Sequence, residues 1–410
     1  KTRVEKFYLF FNPWFSLFKF QRGETEFGIG WLPLGGYVKI SGMIDESMDK
    51  EQMKLPPQPW EFRSKPAWQR LIIMLGGIIM NVILGIVIYS MVLFSYGEKY
   101  VPLKNFPNGI ACDSIALQLG LRDGDHIIKV GDKTPETIDE VAMGIVIDQA
   151  KTVEVDRNGN KITLPVSTEI VKKLIVNHNG FFVSARIPYI IDSVASNSLA
   201  AKEGLQKNDH VIGVNGQLCL YMNDVRNELS KHKKSIISIS IMRGTDSLQK
   251  MVWVDSIGRL SVYAKTEAQL FDVYEKHYGF FESFPEGFKT ACEKIELYVK
   301  QFRIIFSGEY QGYKYLGGFI SIAQGFSVQW DWLSFWSFTG FLSLVLAFMN
   351  LLPIPALDGG HVLFTLYEMI TRRKPNEKFL EYAQMIGMVL LFALLAYANG
   401  NDIFRHLFGK

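Results

Sequence analysis

The chain has 410 residues, room for two or three domains, and 48% of them are hydrophobic against 21% charged. With a mean hydropathy of +0.09, that balance excludes a disordered or fibrous chain and is too apolar for an enzyme that is only soluble. The net charge of +3 advertises no nucleic-acid-binding field, and three widely spaced cysteines (Cys112, Cys219, Cys292) build neither a disulfide framework nor a zinc knuckle.

The chain opens at Lys1 rather than at a methionine, inside an amphipathic run, and reads as a fragment whose front has been removed. Phe15–Phe20 and Thr25–Trp31 flank Gln21-Arg22-Gly23-Glu24, which predicts a β-hairpin with a glycine turn. The next stretch, Leu32–Ile40 (LPLGGYVKI), is too short and glycine-rich to cross a bilayer. A re-entrant β-loop fits it, with backbone groups satisfied only inside protein; an ordinary interfacial hairpin is the alternative. Leu55-Pro-Pro-Gln-Pro59 predicts a stiff cytoplasmic linker.

From Leu71 to Tyr96, 26 residues carry no charge. As a helix they reach roughly 39 Å, more than the roughly 30 Å of a bilayer core. Leu333–Leu357 and Tyr382–Asn401 are two further uncharged runs, so the chain is expected to be a multi-pass α-helical membrane protein. A buried core helix remains the alternative for the last of them. Arg63, Lys65 and Arg70 precede the first run, and Arg372, Arg373, Lys374 and Lys378 separate the second from the third. By the positive-inside rule both flanks are cytoplasmic, which places residues 97–331 outside.

That exported middle is an internal repeat. Ser114–Val130 and Ser198–Val214 match at 8 of 17 positions with a fixed offset of 84, the signature of a duplicated domain rather than a solenoid. Each copy reads as a short helix stopped at Gly120 or Gly204, then a strand (His126–Val130, His210–Val214) and a tight turn; Ser235–Met242 alternates as a further strand. His126 and His210 occupy equivalent positions but are assigned no chemistry. Apolar residues at 281, 284, 288, 291, 292, 295, 299, 302, 305 and 306, with charges between them, predict an amphipathic helix that lies on the outer membrane surface or packs on a domain.

Chemistry concentrates at the end of the second apolar run, Asn350-Leu-Leu-Pro-Ile-Pro-Ala-Leu-Asp358-Gly-Gly-His361. A carboxylate within a membrane segment is costly unless paired or bound to metal. Pro353 and Pro355 break the helix before Asp358, and Gly359-Gly360 are expected to loosen it afterwards, presenting Asp358 on irregular backbone suited to a cation. The structural alternative is an Asp capping a helix that starts near His361.

The repeated segment resembles PDZ domains of the bacterial protease type, the second copy more closely through Asn215-Gly216. The run from Asn350 to His361, together with Gly28–Ser41 (GIGWLPLGGYVKIS) and the Gly-x-x-x-Asn of Gly77–Asn81, resembles the site-2 protease family of intramembrane zinc metalloproteases, specifically its RseP-like bacterial branch. The resemblance covers essentially the whole chain. It implies two inserted β-rich PDZ domains and a division into residues 1–66 (hairpin, re-entrant β-loop and linker), 67–97 (first span), 98–180 and 181–270 (PDZ pair), 279–308 (amphipathic helix) and 309–410 (two spans with the Leu-Asp-Gly-Gly motif). It implies zinc as cofactor with Asp358 as a ligand, and substrate contacts at Asn350 and at the loop residues Gly35, Gly36, Tyr37 and Val38. The implied substrates are single-pass membrane proteins of the anti-sigma-factor type, and also remnant signal peptides, in a bacterial inner membrane with the PDZ pair outside. Peptide ends at the PDZ grooves and the lipid bilayer are the other implied partners; nucleic acid is not one.

The departure from that family is the missing His-Glu-x-x-His, which would bring two histidine ligands and the general base. None of the seven histidines (126, 178, 210, 232, 277, 361, 406) pairs with another at i, i+4. The motif is expected on a helix upstream of Lys1, so no catalytic residue is assigned within this chain. His361 is not expected to replace a ligand, since near neighbours on one backbone rarely reach one tetrahedral ion together. A non-catalytic PDZ-bearing membrane adaptor from the same family is the alternative function.

Overall fold

The computed structural model describes residues 2–33, 35–43, 56–176, 181–308, 310, 312–327, 329–373 and 375–408. Leu34 of the expected loop, Leu55 of the expected linker and Lys374 of the basic flank lie outside the described residues. The chain divides into two compact units, Lys1–Tyr89 with Gly318–Lys410, and Ser90–Gly317.

The first unit opens with a four-stranded sheet made of β1 (Val4–Tyr8), β2 (Phe11–Arg22), β3 (Thr25–Leu32) and β4 (Tyr37–Ile40), in the order β2-β3-β1-β4. The hairpin expected across Gly23-Glu24 is present as the β2–β3 pair, with Gly23 at φ +63° in the turn. Its first strand starts at Phe11, four residues before the expected Phe15. Within the expected loop, Tyr37–Ile40 forms a regular strand paired antiparallel with β1. The strand β1 itself lies between β3, which it meets in parallel, and β4. Strand β2 leaves Trp14, Phe15, Leu17, Phe18 and Phe20 exposed.

Three helices in the described residues are long and apolar enough to cross a membrane: Ala67–Tyr96, Trp332–Leu351 and Lys378–His406, the last within the helix Glu377–Phe408. The first two run antiparallel. Ser343 donates to the Asn81 carbonyl at 2.8 Å, Tyr89 donates to the Ser337 carbonyl at 3.1 Å, and between these rungs Gly85 faces Leu344 while Gly340 faces Ile88 and Tyr89. Small residues at the crossing let the backbones approach where lipid gives no hydrophobic drive to associate. In the third long helix, Asp402 is buried and accepts from the Gly318 and Ser321 amides at 2.7 and 2.9 Å, holding the short helix Phe319–Gln324.

In the second unit the repeat recurs as an order of elements. Ile110–Cys112, the helix Ser114–Leu119, His126–Val130, the helix Ile138–Val146, the hairpin Thr152–Arg157/Asn160–Pro165 and Val183–Ala185 build the first copy; Tyr189–Val194, Leu199–Lys202, His210–Val214, Met222–Lys231, Ser235–Arg243/Asp246–Val254 and Val262–Ala264 build the second. The last strand of each copy pairs antiparallel with its first. Alternating side chains of the hairpins (Val153, Val155; Ile239, Ile241, Val252, Val254) are fully buried, as a strand with one face on a core requires.

The repeat also carries a pair of ions that the motif did not announce. Arg157 donates to both oxygens of Asp125 at 2.7 and 2.8 Å and to the Gly120 carbonyl at 2.8 Å. Arg243 does the same to Asp209 and Gly204 at the same distances. Each aspartate also accepts from the amide three residues before it. A planar guanidinium thus ties strand, turn and helix end together in both copies. The helix Ser283–Phe306 follows, with Gly287 closely applied to the Ser90 backbone.

Candidate active site around Asp358

The helix Trp332–Leu351 ends at Leu352, whose φ and ψ of −60° and 141° are extended. Pro353 disfavours helical backbone at Leu352, and neither Pro353 nor Pro355 can donate to a continuing helix. The expected single apolar run from Leu333 to Leu357 is therefore two elements, a helix and a six-residue break. A new helix, Asp358–Thr371, then begins at Asp358 itself, three residues earlier than expected. Leu357 occupies the N-cap position and Asp358 is the first residue of the helix itself, so neither the capping reading nor the presentation of Asp358 on unwound backbone holds. The carboxylate stands in the first turn, among N–H groups that have no partner within the helix and favour negative charge.

The glycines after it do the opposite of loosening the chain. A Cβ on Gly359 would lie 2.5 Å from the Leu351 carbonyl and would overlap that of Leu352, and one on Gly360 would lie 2.5 Å from the Ile354 carbonyl. Both are buried helical residues on which the break folds back. From the other side, a Cβ on Gly387 of the third long helix would stand 2.9 Å from the Ala356 amide. Gly359→Val is expected to push Asp358 out of place and lower reporter cleavage about tenfold through overpacking, with helix content unchanged by circular dichroism. Full cleavage would show that this close approach is dispensable.

Asp358 faces the first long helix. Its Oδ2 lies 3.7 Å from where a Gly77 Cβ would stand. Met74 and Val362 share a buried cluster one turn further on, and Arg70 and Glu368, both largely buried, close the pair of helices with a 2.5 Å ion contact. Ile40 and Met43 join the Met74–Val362 cluster, so the end of β4 reaches the helices that carry Gly77 and Asp358.

The other sequence-predicted residues fall into two groups. Asn350 is half-buried in the last turn of the preceding helix, and no hydrogen bond among the described residues joins it to Asp358. Gly35, Gly36, Tyr37 and Val38 lie together where the chain enters β4. Gly35 has φ +136°, and a Cβ on Gly36 would stand 2.5 Å from the Tyr8 carbonyl, so both positions require glycine. Val38 is 47% exposed. The Tyr37 ring stacks on Tyr8 and Phe11.

Zinc accepts carboxylate oxygen, and Asp358 suits one position of its shell. Among the described residues no group of three or more His, Cys, Asp and Glu side chains could hold a metal ion. The fit is therefore one ligand deep. Groups elsewhere do not compete for the chemistry. The Cys112 thiol is pushed up to about 12, by burial first and then by Asp123, Asp125 and Asp113, which disarms it as a nucleophile. Burial holds His210 below the usual imidazole range, and its Nε2 is buried without a hydrogen bond.

The chain belongs to peptidase family M50, whose model matches residues 1–394. It is a membrane metalloprotease of that zinc-dependent family, as the motifs around Asp358 led one to expect. A Vibrio cholerae protein named as a zinc metalloprotease is 29% identical over 98% of this chain and 92% of its own length. The regulator of sigma-E protease RseP of Escherichia coli is likewise 29% identical, with the same coverage of both chains. A Campylobacter jejuni protein, also named as a zinc metalloprotease, is 33% identical over 52% of this chain and 60% of its own.

Proposed function

We propose that the full-length protein is an intramembrane zinc endopeptidase of the site-2 type, cutting single-pass membrane substrates of the anti-sigma-factor kind, and remnant signal peptides, in a bacterial inner membrane. The observation that carries this reading is the position of Asp358, a carboxylate at a helix start set against Gly77 of a membrane-length helix. The name of the Escherichia coli relative supports the substrate class.

When bound, the metal would supply a Lewis acid and an acidified water. Asp358 would hold it through a carboxylate oxygen. A His-Glu-x-x-His run, which these 410 residues do not contain, would supply the other two ligands and the general base. Among the described residues strand β4 is an edge of its sheet, so an extended segment can add to it by main-chain hydrogen bonds. Peptide hydrolysis needs that extension, because a helical amide is internally bonded and shielded. Gly35–Val38 would grip the strand and Asn350 would orient it. The two repeats are read as a PDZ pair outside the membrane that filters untrimmed substrates or binds peptide ends, and exposed Trp14, Phe15, Phe18 and Phe20 suit contact with the bilayer.

The test is metal removal from the full-length protein. A zinc chelator is expected to stop cleavage of a single-pass reporter and added zinc to restore it; cleavage that ignores the chelator would refute the reading. The second reading is a non-catalytic adaptor of the same family. Zinc-dependent cleavage by the full-length protein would remove it.

A further inference from the structure

The chain leaves the second repeat as a strap laid over the first. After the last strand, Val262–Ala264, the Lys265 amide still donates to the Ile190 carbonyl. A short helix, Glu267–Leu270, follows, with the Thr266 amide donating to Gln269 Oε1 at 2.8 Å. From there the strap grips the lead-in to the first repeat. The Phe271 ring meets Phe106 edge-on at 5.5 Å, and Phe106 is 2% exposed. Asn105 Nδ2 donates to the Asp272 carbonyl at 2.9 Å, and Tyr274–Lys276 pairs antiparallel with Glu98–Tyr100.

Glu267 carries the strap to the edge of the first repeat. Where Val183–Ala185 pairs with Ile110–Cys112, the Arg186 amide donates to the Gly109 carbonyl and the Asp113 amide to the Phe182 carbonyl. Antiparallel bonding alternates, so the Val183 and Ala185 amides face away from Ile110–Cys112, on the side where no further strand of the described residues pairs. The Glu267 carboxylate accepts from the Ala185 amide, with Asp139 in the first turn of the helix Ile138–Val146 as its charged neighbour. Burial, then Asp139, push the Glu267 carboxyl up, while the amide draws it down. Two carboxylates that face each other make this an occupant that can leave. The second repeat differs. Its matching strand, Val262–Ala264, is an edge of its sheet and turns the Val262 and Ala264 amides outward in the same way. Among the described residues no side chain bonds either of them.

We infer that the strap is a built-in pseudo-ligand: Glu267 occupies the open edge of Val183–Ala185 and closes the first repeat to extended peptides until the strap moves, leaving the second repeat as the open one. The inference rests on the proposed reading of the repeats as peptide-binding domains. A peptide that adds to a strand edge must bond these same outward amides. To reach Ala185 it must first displace a charge-assisted hydrogen bond. Joined to the second repeat through Lys265 and Thr266, Glu267 competes from within the chain, at an effective concentration on the order of millimolar.

The test uses the full-length protein and a short Val-Ala peptide with a free carboxyl end and one photoreactive leucine, its crosslinks mapped by mass spectrometry. In the unaltered protein the crosslinks are expected on the second repeat, along Val262–Ala264 and Met222–Lys231. Glu267→Ala is expected to raise crosslinking to Val183–Ala185 and Ile138–Val146 about tenfold, the scale of one hydrogen bond to a charged group, and to leave the second repeat as it was. With no peptide present, hydrogen exchange over residues 181–187 should quicken by a similar factor. Exchange over Thr152–Arg157 should stay unchanged, which shows the first repeat still folded. Glu169→Ala, which removes an exposed carboxylate from another helix of the same repeat, should do neither. Equal crosslinking of the first repeat with and without Glu267 overturns the inference. So does exchange over residues 181–187 that ignores Glu267, or a Glu169→Ala variant that matches Glu267→Ala. Crosslinks on neither repeat in any variant would refute the peptide-binding reading, while the exchange rates would still decide whether Glu267 holds the strand edge.

Discussion

Replacing Asp358 by alanine in the full-length protein is expected to abolish zinc retention and to lower cleavage of a single-pass reporter by at least about a thousandfold, the scale set by losing a metal that activates water. Expression and helix content should be unchanged. Asp358 is not the N-cap of its helix, a position that Leu357 holds, and the neighbouring Gly359 and Gly360 contacts do not depend on its side chain. Asp358→Asn should behave nearly as badly, since a neutral amide binds zinc poorly. Wild-type turnover in either variant, or full zinc content in the alanine variant, would refute the ligand assignment.

The second large effect is structural. Arg243→Ala should destabilise the second repeat by about 2–3 kcal/mol, at or below the lower end for breaking a buried ion pair because Arg243 is a third exposed. The Asp209 side chain, 1% exposed, would be left with the hydrogen bond from the Gln206 amide. Arg243→Lys should recover only part of this, since an ammonium cannot serve both the carboxylate and the Gly204 carbonyl. Faster hydrogen exchange across Ser235–Arg243 and Asp246–Val254 reports the loss; unchanged protection there would contradict it. The pair also predicts acid sensitivity. Burial raises the Asp209 carboxyl, but Arg243 and the Gln206 amide outweigh it and hold the group below the usual carboxylate range. A depressed folded-state value means the stabilisation is present above the unfolded-state pKa and is lost as pH falls through the folded one. The second repeat of Arg243→Ala should therefore lose less stability on acidification than that of the unaltered protein.

The membrane-length helices were legible because a charge-free run needs no tertiary context to be recognised, and Asp358 was legible because it interrupts such a run. The duplication was legible where the two copies keep step, from Ser114 to Val130 against Ser198 to Val214. The arginines escaped for a physical reason. Asp125 to Arg157 spans 32 residues and Asp209 to Arg243 spans 34, so a comparison at the fixed offset of 84 never aligns them. They become equivalent only once the hairpins fold. Strand β1 was missed because its partner β3 lies some twenty residues on and runs parallel, a pairing with no local turn to announce it. The glycines after Asp358 were misjudged for a similar reason. Conformational freedom is a local property, whereas the carbonyls they approach belong to a break whose path only the fold defines. The strap over the first repeat lies furthest from the sequence, since Glu267 follows the second repeat and meets a strand of the first.

The most direct test of the account is an anomalous-scattering map at the zinc edge from crystals of the full-length, metal-loaded protein. A peak is expected about 2.0–2.2 Å from an Asp358 carboxylate oxygen, with two histidine nitrogens completing the protein ligands. A zinc peak elsewhere, with Asp358 bound to no metal, would contradict it.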